Sequence, residues 1–141
     1  MKTKITVTTW FARIVITIVF AWNLQCAFAF IVSPQNFLEA YALSGIGGLA
    51  AIQGLGIAFL MWNATYPVAI FNPWKYRIVF VIILVQQFIG LIGESFIKQT
   101  TASESLILST SLLRFILFDG IGFVLMLLAY ILMLTAQSKK T

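Results

Sequence analysis

The residues that could do chemistry in this chain are few and stand inside apolar surroundings. Glu94, Arg114 and Asp119 interrupt long hydrophobic runs, accompanied by the amides Gln25, Gln53, Gln86 and Gln87. A carboxyl group in such a place can exchange protons, pair with a guanidinium or receive a ligand's donors. Histidine is absent, which removes His-ligated haem, His-containing zinc sites, Ser–His–Asp or Cys–His catalysis and a histidine pH switch. The single cysteine, Cys26, excludes an internal disulfide and a CxxC redox or metal motif. An enzyme built on this chain would have to work with carboxylates alone. No catalytic residue, metal or cofactor is assigned from the sequence.

The elements that must position these groups are set by composition. Of 141 residues, 61% are hydrophobic and 9% are charged, against about 25% charged in a soluble domain. A hydrocarbon layer of roughly 30 Å needs about 20 apolar residues per helix. Residues 14–32, 49–70, 78–97 and 115–134 meet that requirement, and none alternates as a barrel strand would. The expected architecture is an all-α membrane protein, a single domain over residues 1–141 folded as a four-transmembrane-helix up-down bundle.

Charge placement gives the direction. Lys2, Lys4 and Arg13 precede the first span, Lys75 and Arg77 lie between the second and third, and Lys139 and Lys140 follow the fourth. Four crossings put all seven on one side, which the positive-inside rule makes the cytoplasm, with both termini. Trp10, Trp74, Tyr76 and Tyr130 fall near that inner boundary as interfacial anchors. Ala27-Phe28-Ala29 imitates a signal-peptide cleavage site, but apolar sequence continues through Val32, so the first span is read as retained.

The links are punctuated. Ser33-Pro34 reads as a cap and first helical residue, with Phe37 and Tyr41 four apart and Ser44-Gly45 as a stop. This predicts a short helix on the outer surface between the first two spans. Thr101-Ala102-Ser103-Glu104 reads as a capping box opening the fourth helix. Pro67 cannot donate to the Asn63 carbonyl, so a kink is expected there. Ala50, Gly54 and Ala58, four apart, form a small-residue stripe expected to be a packing seam, with Gly90, Gly93, Gly120 and Gly122 doing the same work elsewhere.

Depth along the helices brings the polar groups together. Gln25, Gln53 and Asp119 fall roughly 6–10 Å below the outer boundary at 1.5 Å per residue. Gln86 and Gln87 lie slightly deeper, and Glu94 and Arg114 slightly shallower. An ionised group facing lipid at the centre costs about 2.5–3.5 kcal/mol, so these side chains should converge inside the bundle. Equal height makes a Glu94–Arg114 ion pair the natural expectation. Two readings remain open. One is an outward-opening polar pocket lined by Glu94, Arg114, Asp119, Gln87, Gln53 and Gln25, floored by Trp22, Asn23, Trp62 and Asn63. The other is interhelical glue.

Ser33-Pro34…Phe37, the glycine-rich opening Gly45-Ile46-Gly47-Gly48 and the inner turn with Pro73, Lys75 and Arg77 resemble the DoxX-like superfamily of small bacterial membrane proteins. The resemblance covers most of the chain as topology. It departs in lacking a basic residue at the opening of the second helix, and in the segments Leu60-Met61-Trp62-Asn63 and Arg114-Phe115…Asp119-Gly120. It implies a bacterial inner-membrane location and, by analogy with some members, a link to quinone-dependent oxidation or redox partners. Three functions follow: an accessory or scaffold protein packed in a homo-oligomer or larger complex; a binder or transport component for a lipophilic, quinone-like molecule; and a carboxylate-only enzyme. Basic residues split among three short segments fit attraction to anionic lipid and disfavour nucleic acid.

Overall fold

The computed structural model describes residues 2–101 and 105–138, with side chains over 7–101 and 105–136. Its helices are α1 (Lys2–Val32), α2 (Gly45–Asn63), α3 (Tyr66–Phe71), α4 (Arg77–Thr101) and α5 (Leu106–Ser138). Among the described residues, four segments are long and apolar enough to cross a membrane: Val7–Val32, Gly45–Phe71 (α2 with α3), Arg77–Thr101 and Leu106–Ala136. Each contains one expected span and extends it.

Local chemistry explains the breaks. The kink expected before Pro67 is a full interruption: α2 ends at Asn63 and α3 restarts at Tyr66, with Pro67 in its first turn, where a missing N–H costs nothing. The short helix expected after Ser33 is instead two 3-10 turns, Pro34–Phe37 and Glu39–Tyr41. Ser33 makes no side-chain capping bond. The stop comes earlier than Ser44, at Ala42, which takes a left-handed φ of 53° and donates to Glu39 O. The proposed capping box over 101–104 lies partly outside the described residues. Ser105 serves as the observed cap of α5, its Oγ accepting from Leu108 N at 3.3 Å. Between α3 and α4, Asn72 Oδ1 accepts from Lys75 N at 2.9 Å and Pro73 is fully buried, which fixes a tight turn.

Packing divides the molecule into two halves. In the packed half, Val15, Ile16 and Val19 of α1, Tyr66 and Ala69 of α3, Phe80, Ile83 and Leu84 of α4, and Met126, Ala129 and Met133 of α5 form one buried cluster. Phe80 meets Tyr130 edge-on at 5.2 Å between ring centres. Three cations sit over aromatic rings, Arg13 over Trp10, Lys75 over Tyr76 and Arg77 over Trp74, and Trp74 packs against this cluster. Arg13 also donates to the Phe71 carbonyl at the end of α3.

The open half is looser. There α2 packs on α1 and the first 3-10 turn, and among the described residues makes no comparable contact with α4 or α5. On α2, Gly48, Ile52 and Gly56 are buried, Gly48 against Leu38 and Leu43 of the link and Gly56 against α1. A Cβ on Gly56 would lie 2.8 Å from the Ala27 carbonyl oxygen and 2.8 Å from Ile31 Cγ1. The expected seam of Ala50, Gly54 and Ala58 is exposed, and Gly54 has open space where a Cβ would stand. The two stripes differ by two residues, which is about 200° around a helix. Gly93 is likewise open, whereas Gly120 and Gly122 lie against Leu91 and Val19.

Candidate functional site

Helical spacing builds a cavity in the open half. Trp22, Asn23 and Cys26 on α1, Phe59, Trp62 and Asn63 on α2, Gln87, Gly90 and Glu94 on α4, and Phe115, Phe118 and Asp119 on α5 line it. Within each helix successive members are one, three or four residues apart and span no more than about two turns, so each set shares one face. The cavity offers about 50 Å³ to the centre of a water molecule, which suits a few waters or one small polar group.

A directed hydrogen-bond chain crosses its wall. Asn23 Nδ2 lies 3.5 Å from the Tyr66 hydroxyl, Tyr66 donates to Gln87 Oε1 at 3.1 Å, and Gln87 Nε2 donates to Asp119 Oδ1 at 2.6 Å. Four side chains from α1, α3, α4 and α5 thus end on one carboxyl group. The absence of a side chain at Gly90 makes room for that group. A Cβ there would stand 2.7 Å from Asp119 Oδ2 and 3.5 Å from Trp62 Cη2.

Two buried wall atoms have no hydrogen-bond partner. They are Glu94 Oε2 and Asn63 Oδ1. Asn63 is 4% exposed, and its Nδ2 donates back to the Phe59 carbonyl at 2.7 Å. A buried polar atom left without a partner costs about 1–3 kcal/mol. Among the described residues no three His, Cys, Asp or Glu side chains cluster as metal ligands.

Of the residues expected from depth, Glu94, Asp119 and Gln87 meet at the cavity. Arg114, Gln53 and Gln25 do not. No ion pair joins Glu94 to Arg114 among the described residues. Arg114 is exposed, and it lines a shallow groove with Asn36 and Glu39 and an adjoining aromatic cleft. Gln53 donates to the Ile31 carbonyl at 3.2 Å, tying α2 to α1, and Gln25 is exposed. Gln86 lies 3.4 Å from the Thr65 hydroxyl, outside the cavity lining. Trp22, Asn23, Trp62 and Asn63 line the cavity as expected.

Depth reasoning missed Tyr66 and Cys26. Tyr66 sits in the interruption before Pro67, a place where an interfacial ring is the ordinary reading. Cys26 is a free, half-buried thiol, whose spacing from Trp22 and Asn23 was the available signal.

The adjoining aromatic cleft measures about 240 Å³ and shares Trp22, Cys26, Phe115 and Phe118 with the cavity. Phe30, Phe37 and Tyr41 line it too, with Ala40, Ser111 and Arg114. Phe30 lies 4.6 Å from Phe37 and 5.8 Å from Tyr41 between ring centres. Burial chiefly, with negative charge at Cys26 and Glu94 adding to it, pushes the Tyr41 hydroxyl above its ordinary range. It is therefore a neutral donor at physiological pH.

Comparison with protein-family models, curated proteins and solved structures returns no match.

Proposed function

We propose that this chain is an integral membrane protein that binds a small amphiphilic molecule, its polar end in the cavity and its apolar part along the aromatic cleft. The observation that carries this reading is the unpartnered Glu94 Oε2, buried beside Asp119 in a cavity that four spans leave open. Interhelical glue would pair its acceptors, since an isolated buried carboxyl group weakens the fold it is meant to hold. The Asn23–Tyr66–Gln87–Asp119 chain fixes one wall and leaves Glu94 for the ligand.

The accompanying topology is an up-down bundle in a bacterial inner membrane with cytoplasmic termini. It is supported by the Arg13, Lys75 and Arg77 contacts with aromatic residues in the packed half and by the charge asymmetry of the sequence. Its DoxX-like assignment rests on Ser33-Pro34, the Gly45–Gly48 opening and the Pro73 turn.

Native mass spectrometry after gentle extraction tests the reading. Wild type should retain a small molecule that Glu94→Gln and Asp119→Asn lose and Gln25→Ala keeps. Loosely held lipid alone, equal in all four proteins, would overturn it.

A second reading, a scaffold within a homo-oligomer or larger complex, is favoured by the exposed Ala50, Gly54 and Ala58 stripe. Co-purifying subunits released by Gly54→Leu would support that role.

A further inference from the structure

The chemistry of the cavity wall narrows the ligand's class. Asn63 is oriented without ambiguity, because only its nitrogen can serve the Phe59 carbonyl 2.7 Å away. Its Oδ1 is therefore a true acceptor, and it is left unpartnered in a side chain that is 4% exposed. Glu94 Oε2 is the other orphan, an acceptor when its carboxyl group is ionised. Gln87 accepts from Tyr66 with its oxygen and spends one of its two N–H groups on Asp119.

The wall thus holds two carboxyl groups, and both of its unpartnered atoms are oxygens. Among the described residues, no Lys or Arg lines the cavity. A quinone brings only carbonyl acceptors to its polar end, and neither Asn63 Oδ1 nor an ionised Glu94 can donate to them. A ligand that completes the site brings N–H donors and positive charge together. The faces of aromatic rings around such a site attract a cation further.

We propose that the cavity receives a lipophilic ammonium: a protonated amine held by Glu94, Asp119 and Asn63 Oδ1, with its apolar body against Trp22, Phe115 and Phe118. This inference rests on the binding-site reading above and specifies the ligand. The size of the two spaces agrees with it. The acceptor cavity, with about 50 Å³ open to the centre of a water molecule, suits a compact head, and the larger aromatic cleft suits a ring-sized body.

The test uses the full chain in phosphatidylcholine nanodiscs and equilibrium dialysis against empty discs. The probes are naphthylethylamine, its uncharged counterpart naphthylethanol, and ethylamine, which lacks the ring. Wild type should bind naphthylethylamine at least about tenfold more tightly than the alcohol, as a charge-assisted bond in a buried site requires. Glu94→Gln and Asp119→Asn should each abolish that preference, and Gln25→Ala, at an exposed residue outside both spaces, should leave it intact.

Equal affinity for the amine and the alcohol would overturn the ammonium assignment and leave the binding site standing. Ethylamine binding as tightly as naphthylethylamine, with sodium displacing both, would assign the cavity to a small inorganic cation and overturn the aromatic half of the proposal. No probe binding above empty discs would overturn the site and the ammonium together. The comparison of probes on wild type decides the matter even if a variant fails to fold.

Discussion

The two halves of this molecule use the same helices for opposite purposes. In the packed half, α1, α3, α4 and α5 fill the space between them with Ile16, Phe80, Ile83 and Met126, all 0% exposed. In the open half, α2 leans on α1 alone among the spans, and the space between it, α4 and α5 holds Glu94, Asp119 and Asn63 around a cavity. Apolar burial gives helices in lipid little reason to associate, so close contact must hold them. A bundle that packs tightly at one end can leave polar groups under-satisfied at the other. The difference teaches where stability and binding should separate under mutation.

The largest expected effect lies in the packed half. Phe80→Ala should cost about 2–3 kcal/mol, the cavity share of the figure for a water-soluble core. Denaturant unfolding in micelles would show it, with ligand binding surviving below the transition. A cost under about 0.5 kcal/mol, the range of ordinary surface changes, would erase the distinction between the halves.

Next comes the seam between α1 and α2. Gly56→Ala should cost about 1–3 kcal/mol, because its Cβ would meet the Ala27 backbone, which cannot yield as a side chain end would. The same unfolding curve measures it.

Gly90→Ala sharpens the contrast further. Its Cβ would force Asp119 off Gly90 and break the 2.6 Å bond from Gln87. Binding should fall at least about tenfold, or 1.4 kcal/mol, with stability changed by less than that. Dialysis beside unfolding separates the two, and a loss of stability without loss of binding would contradict the assignment. The smallest effect is Gly54→Ala, which should leave stability unchanged or raise it by under about 1 kcal/mol, since open space receives the methyl.

The spans were legible because length and hydropathy alone decide whether a helix can cross a membrane. Glu94, Asp119 and Gln87 were legible for a related reason, since height along a helix follows from counting residues. Height does not give direction. Arg114 precedes Asp119 by five residues, which turns it about 140° around α5, so the two cannot aim at one point. The same arithmetic separates Gly54 from Gly56. The orphaned Asn63 Oδ1 was not legible, because it depends on which backbone carbonyl its amide finds. Nor was Tyr66, whose bond to Gln87 depends on how far the chain unwinds before Pro67.

The most direct test of the central claim is the thermal stability of ligand-free Glu94→Leu beside wild type. If Glu94 is held unpaired for a ligand, removing its carboxyl group relieves a buried, unpartnered oxygen. The midpoint should then rise while binding disappears, the exchange of stability for function expected at a binding site. A clearly lower midpoint would mean that Glu94 holds the helices together, and the cavity would be a seam of the fold.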